Sequence, residues 1–228
     1  MDTILTTMKL PRISSREDAG RNLAKRLTQF ANCGNVIVLA IPTGSVSVAA
    51  EIALSLNTNL DVLLVGKITA PVRGGHSIGA VTCDGVRILN YDMIDRLQLS
   101  DSDVGAAILK ASSGLARRER FYHGTHPALA VADHTVILVD DGTTPCSILR
   151  NAIRLLRRQH VDQIVVALPA ACRTAAWDLR LEADKLVTLA EPATAIGGGK
   201  WFKPFSRSTA AGVRRLLSRR THGTEQRS

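Results

Sequence analysis

Apolar residues along this chain follow two patterns that alternate. Short runs rich in Val, Ile and Leu, at Val36 to Ala40, Leu60 to Val65, Val136 to Val139, Ile164 to Ala167 and Lys185 to Leu189, suit strands covered on both faces. Between them, apolar residues recur at helical spacing. Ala49, Ala50, Ile52, Ala53 and Leu56 follow the first run, and Ile148, Leu149, Ala152, Ile153 and Leu156 follow the third. Ahead of the first run, Ser14 and Glu17 read as a capping box on a helix that places Ala19, Leu23, Leu27 and Phe30 on one face. Asp101 to Arg120 reads as a further helix and Ala210 to Arg220 as a basic terminal one. Ser77 to Val81 and Val86 to Asn90 flank Asp84-Gly85 as a hairpin. The alternation predicts an α/β fold, a mostly parallel twisted sheet flanked by helices with right-handed crossovers.

The sharpest transition in the pattern is Val136-Ile137-Leu138-Val139-Asp140-Asp141-Gly142-Thr143-Thr144-Pro145-Cys146-Ser147, where an apolar strand gives way to two acids, a glycine and hydroxyl residues. A loop after a parallel strand lies at the carboxyl end of the sheet, where open α/β sheets bind ligands. It ends at a helix N-terminus, whose unpartnered N–H groups and dipole favour an anion, and Thr143, Thr144 and Ser147 add hydroxyl donors. Two adjacent carboxylates would repel such an anion unless a sugar diol or a metal ion engages them. Pro145 is expected at the first helical position behind a Thr144 N-cap. A second strand, loop, helix unit runs through Ile41-Pro42-Thr43-Gly44-Ser45, where Gly44 permits close backbone approach to an anion.

Composition narrows the class. With 228 residues and 45% hydrophobic content, residues 1–228 are expected to form a single domain with a small appendage. There is no apolar run of membrane-spanning length and no basic-then-apolar leader, so a cytoplasmic protein without membrane contact is expected. Cys33, Cys83, Cys146 and Cys172 form no CxxC pair, which disfavours zinc and disulfide frameworks. His123 and His126 are three apart, but Gly124 and Pro127 argue against a rigid metal-binding helix. The net charge of +9, much of it from Arg117, Arg118, Arg120, Arg154, Arg157, Arg158 and the terminal arginines, fits polyanionic ligands. Nucleic acid is not favoured, since only 4% of residues are aromatic and no recognition motif accompanies the charge.

VILVDDGTTPCS resembles the PRPP-binding motif of type I phosphoribosyltransferases, a hydrophobic strand and two acids followed by a Thr-Gly-x-Thr turn. The loop here is one residue short, and Pro145 stands where the family has glycine. AIPTGSVSVAAEIA resembles the pyrophosphate loop of a bacterial phosphoribosyltransferase-like group, with Thr43 and Ser45 in place of arginine and the second glycine. Gly66-Lys67-Ile68 resembles that group's Arg-Lys-Ile, keeping the lysine and losing the arginine. The Ser77–Asn90 hairpin is similar to the one these enzymes fold over the reacting centre. LARRERFYHG is similar to a family segment that has arginine at the position of His123. Gly199-Lys200-Trp201-Phe202 is similar to the family's near-terminal hood, which implies a C-terminal hood and terminal helix over residues 195–217 and a frayed tail over 221–228.

The resemblance implies a transferase of nucleotide metabolism, a pentosyltransferase within the glycosyltransferases. It would bind Mg²⁺-PRPP or a nucleoside monophosphate and transfer phosphoribosyl to an unidentified nitrogen base, as a homodimer. Asp140 and Asp141 would hold the ribose diol and Mg²⁺, and Lys67 would act with them in catalysis. Gly142, Thr143, Thr144, Cys146 and Ser147 would bind the phosphate, Thr43, Gly44 and Ser45 the pyrophosphate, and Trp201 and Phe202 the acceptor. Loss of two arginines predicts impaired turnover. A non-catalytic PRPP- or nucleotide-binding regulator is the alternative, with an RNA-binding regulator third.

Overall fold

The structure is a computed structural model that describes residues 13–42, 44–124 and 127–193. Five parallel strands form the main sheet: β1 (Val36–Ala40), β2 (Asn59–Val62), β6 (Thr135–Val139), β7 (Gln163–Ala170) and β8 (Lys185–Ala190), in the order β2-β1-β6-β7-β8. The central strand is β6, where Leu138 stands between Leu39 and Val166. Alternate side chains enter separate cores. Val38, Ala40, Ile137 and Val139 face α1 (Arg16–Ala24) and α2 (Ser45–Leu56), while Leu39, Val136, Leu138 and Val166 face α5 (Cys146–Arg158) and α6 (Arg173–Glu182). The fully apolar runs are explained by this two-sided burial.

A second, antiparallel sheet joins β3 (Val65–Thr69), β4 (Ser77–Thr82) and β5 (Arg87–Leu89), and is followed by α3 (Tyr91–Arg96) and α4 (Asp101–His123). Leu60 to Val65 is therefore not one strand. β2 ends at Val62, Leu63 donates its N–H to the Ala40 carbonyl, and the chain crosses between sheets with Leu63 and Leu64 in opposite cores. The run stays apolar because the crossing is buried on both sides. The hairpin exists, but its turn is not over the carboxyl end of the main sheet. Gln159 Nε2 donates to Asp84 Oδ2 at 2.7 Å and Arg158 Nη1 to the Arg87 carbonyl at 2.9 Å. Both anchors lie at the far end of α5, about 20 Å of helix from its N-terminus.

Two helix starts are displaced by one residue. Ser15, not Ser14, caps α1 by accepting from Asp18 N at 3.0 Å, and Phe30 sits in a 3₁₀ turn beyond the helix. Pro145 is the N-cap of α5, because the Thr144 hydroxyl is committed to Asp140 instead of to the helix. α4 starts on a capping box between Ser100 and Asp103 and runs past Arg120 to His123.

Candidate functional site

Asp140 and Asp141 follow β6 at the carboxyl end of the sheet and are 1% and 2% exposed, so two acids are buried side by side. The loop bends back over them. Asp140 Oδ1 accepts from Gly142 N at 2.7 Å and Thr144 N at 3.3 Å, and its Oδ2 accepts from the Thr144 hydroxyl. Asp141 Oδ1 accepts from Thr143 N at 3.2 Å and from the Thr143 hydroxyl at 2.6 Å. Gly142 makes the turn at φ 83°, a backbone region that favours glycine, and an added Cβ would stand 3.2 Å from the Ala170 carbonyl. Burial, and after it the Asp141 carboxylate, push the Asp140 acid up to about 6, against the opposing pull of its hydrogen bonds from Thr144 and Gly142.

Asp141 has a cation. Arg16, the first residue of α1, donates Nε to Asp141 Oδ2 at 2.9 Å and places Nη2 2.8 Å from the same oxygen, with its own side chain 15% exposed. Gly44 closes on this pair from the other loop. A Cβ at Gly44 would stand 2.1 Å from Asp141 Oδ2 and 2.9 Å from Arg16 Nη2. The loops after β1 and β6 thus meet at the Arg16–Asp141 bridge. Such an assembly can hold an anion at the starts of α2 and α5 and present carboxylates to hydroxyl groups or a metal ion.

The match to the phosphoribosyl transferase domain model spans residues 9–188. The chain belongs to this family. Phosphoribosyl transferase is also the provisional name of the Mycobacterium tuberculosis protein Rv0571c, 34% identical over 213 residues, 93% of this chain, and of MT0597 from strain CDC 1551 to the same extent. The chain spans about half the length of these relatives, 47%. TT1426 from Thermus thermophilus has the same fold, with a TM-score of 0.79, 29% identity, and coverage of 90% of this chain and 97% of that one.

Residues expected to act in this phosphoribosyltransferase fold fall into four groups. Gly44, Gly142, Thr143 and Thr144 converge with the two acids. Ser45, Cys146 and Ser147 lie at the helix starts, where they contribute backbone N–H groups, and Ser147 is exposed. The Ser45 hydroxyl is buried and bonds the Ile41 carbonyl, while Cys146 Sγ faces the Ala175 carbonyl at 4.0 Å and its thiol is pushed up chiefly by burial. Lys67 is apart from the cluster, on β3 of the antiparallel sheet, where Nζ donates to the Gly75 carbonyl at 3.2 Å. Thr43, Trp201, Phe202, the hood over 195–217 and the tail over 221–228 lie outside the described residues.

Arg16 is the residue that the sequence pattern passed over. Its one local signal is a cation at the first position of a helix whose first turn otherwise carries Glu17 and Asp18, where the dipole disfavours positive charge.

A separate cleft of about 490 Å³ is lined by Asp61, Cys83, Glu119 and His123 among others, and neither Asp140 nor Asp141 borders it. Asp61, on β2 and 1% exposed, accepts from Leu129 N at 2.8 Å and pairs with His123 Nε2 at 2.8 Å. No group of acid, cysteine and histidine side chains that could hold a metal ion occurs among the described residues, and none of the described helices is long and apolar enough to cross a membrane.

Proposed function

We propose that this protein transfers a 5-phosphoribosyl group from PRPP to a nitrogen base. The observation that carries this reading is the buried Asp140–Asp141 pair at the carboxyl end of the central strand, joined to the Gly44 loop and opening onto the α5 N-terminus. The 5-phosphate would sit on the Thr143-to-Ser147 turn and the ribose diol on the two acids. The pyrophosphate would lie against residues 43–45 at the α2 N-terminus, and Lys67, which stands apart from this cluster on β3, is left without a part in the reading. Among the described residues no cation pairs with Asp140, and the acid resists ionisation, a setting suited to Mg²⁺, which binds through one or two carboxylates together with substrate phosphates. When bound, Mg²⁺ would neutralise charge on the pyrophosphate oxygens.

Departure of pyrophosphate leaves an oxocarbenium-like carbon for attack by the base nitrogen. The chain's own part is positioning and electrostatic stabilisation, so no covalent nucleophile is called for. Magnesium-dependent release of pyrophosphate from PRPP across a panel of bases tests the reading. Release with at least one base is expected, and a protein that neither turns over nor binds PRPP would overturn it. A homodimer is part of the proposal, checked by sedimentation.

A second reading, a PRPP- or nucleotide-binding regulator without turnover, is favoured by the side chains at the pyrophosphate end. Thr43 and Gly66 stand where the resembling group has arginines, and Gly66 is backed by Leu115 Cδ1 at 2.8 Å from where a Cβ would be. PRPP binding without pyrophosphate release would establish it.

A further inference from the structure

We propose that Arg16 is the cation that serves the departing pyrophosphate in this chain, exchanging Asp141 for the leaving group when substrate binds. This rests on the phosphoribosyl reading above and adds a residue to it that neither loop contains.

Three observations carry it. The first is a deficit, since Thr43 and Gly66 stand where the resembling group has arginines. The second is location. The Arg16 guanidinium lies where the two loops meet, with Nη2 2.9 Å and Nε 3.0 Å from where a Gly44 Cβ would be, next to the start of α2 at Ser45. An anion held by the first turn of α2 therefore arrives beside this guanidinium. The third is capacity. A guanidinium carries five N–H donors in a planar fork, more than the single oxygen of Asp141 takes up, so this group can serve more than one anion at once. The Arg16 side chain is 15% exposed against 2% for Asp141, so it is the more accessible member of the pair.

In the ligand-free chain Arg16 compensates a carboxylate buried beside another. When the ribose diol engages the acids, that compensation is shared and the guanidinium can face pyrophosphate. During the reaction the C1–O bond breaks with its electron pair passing to the pyrophosphate oxygen, and the lone pair of the base nitrogen forms the new C1–N bond. The proton of that nitrogen leaves to solvent. Arg16 transfers no proton; it stabilises the charge that grows on the leaving oxygen, so its effect is larger in the transition state than on binding.

The experiment compares Arg16→Gln and Arg16→Lys with the unmodified protein for binding of pyrophosphate, PRPP and ribose 5-phosphate, with melting temperature as the folding control. Arg16→Gln is expected to weaken pyrophosphate and PRPP by about tenfold or more and to leave ribose 5-phosphate within about threefold. Where turnover is measurable, kcat should fall by about 10²-fold or more while KM changes less. Arg16→Lys keeps the charge without the fork, and should fall between the two, which keeps the test open if the glutamine variant does not fold. Equal weakening of all three ligands, or of none, overturns the assignment while leaving the phosphoribosyl reading intact. Failure of the unmodified protein to bind either PRPP or ribose 5-phosphate overturns both.

Discussion

Asp140 is held by hydrogen bonds, but burial, and after it the neighbouring Asp141 carboxylate, outweigh them and make it a weaker acid. An acid that ionises near pH 4 in the unfolded chain and near 6 in the fold binds its proton more tightly when folded. Its contribution to stability is therefore complete below about pH 4 and is lost as the pH rises through 6, about 3 kcal/mol in all. Denaturation between pH 4 and 7.5 should show this loss in the unmodified protein and a flatter profile in Asp140→Asn; identical profiles would refute the assignment. Ligand binding is expected to run the opposite way, because the ionised acid accepts the diol hydroxyls. Replacing both acids by Asn should cost more free energy of PRPP binding than of folding, and an equal loss in both would favour a structural role. These two acids were legible in the sequence because a strand pattern stops abruptly at them. Arg16 was not, since its partner is 125 residues away and its own helix reads as simple packing. Ser45 was legible as a helix start but not as a hydroxyl turned inward to Ile41.

The segments around the site explain which substitutions can be repaired. Position 43 comes two residues before α2 in the sequence, whereas arginine at Gly66 would start from a backbone covered by Leu115, itself 2% exposed. Thr43→Arg is therefore expected to raise pyrophosphate affinity, and Gly66→Arg to destabilise the protein by about 1 to 3 kcal/mol through overpacking against α4. Calorimetric titration and denaturation of the two single variants check this, and equal gains in affinity would count against it. The Asp61–His123–Leu129 cluster ties the end of α4 to β2 and to the segment that leads into β6. Asp61→Ala leaves the His123 ring and the Leu129 N–H without their carboxylate acceptor and should cost about 1 to 3 kcal/mol by denaturant titration. No sequence pattern pointed to this pair, because a single aspartate inside an apolar strand looks like a pattern defect. The split of Leu60 to Val65 was hidden for a related reason: burial, rather than strand pairing, sets the hydrophobicity of that run.

Across the molecule, much of the positive charge on the α5 face is already answered. Glu182 pairs with Arg150 and Arg154, and Asp184 with Arg157. Arg154→Gln should thus leave retention on RNA unchanged and alter stability by no more than about 1 kcal/mol. A salt-sensitive loss of RNA binding of about tenfold or more would instead support the RNA-binding regulator. The strand and helix alternation was enough to foresee the parallel sheet, but not where the hairpin turn docks, since Asp84 and Gln159 meet through side chains that any surface turn could carry. The sheet divides the interior into two apolar compartments, and the carboxylate loop touches helices from both: Arg16 belongs to α1 on one face, while Thr144 leads into α5 on the other. A ligand seated between them fastens the compartments to each other. Hydrogen exchange should then slow in α1 and α5 together on addition of PRPP, and two openings that occur separately in the free chain should merge into one cooperative unit.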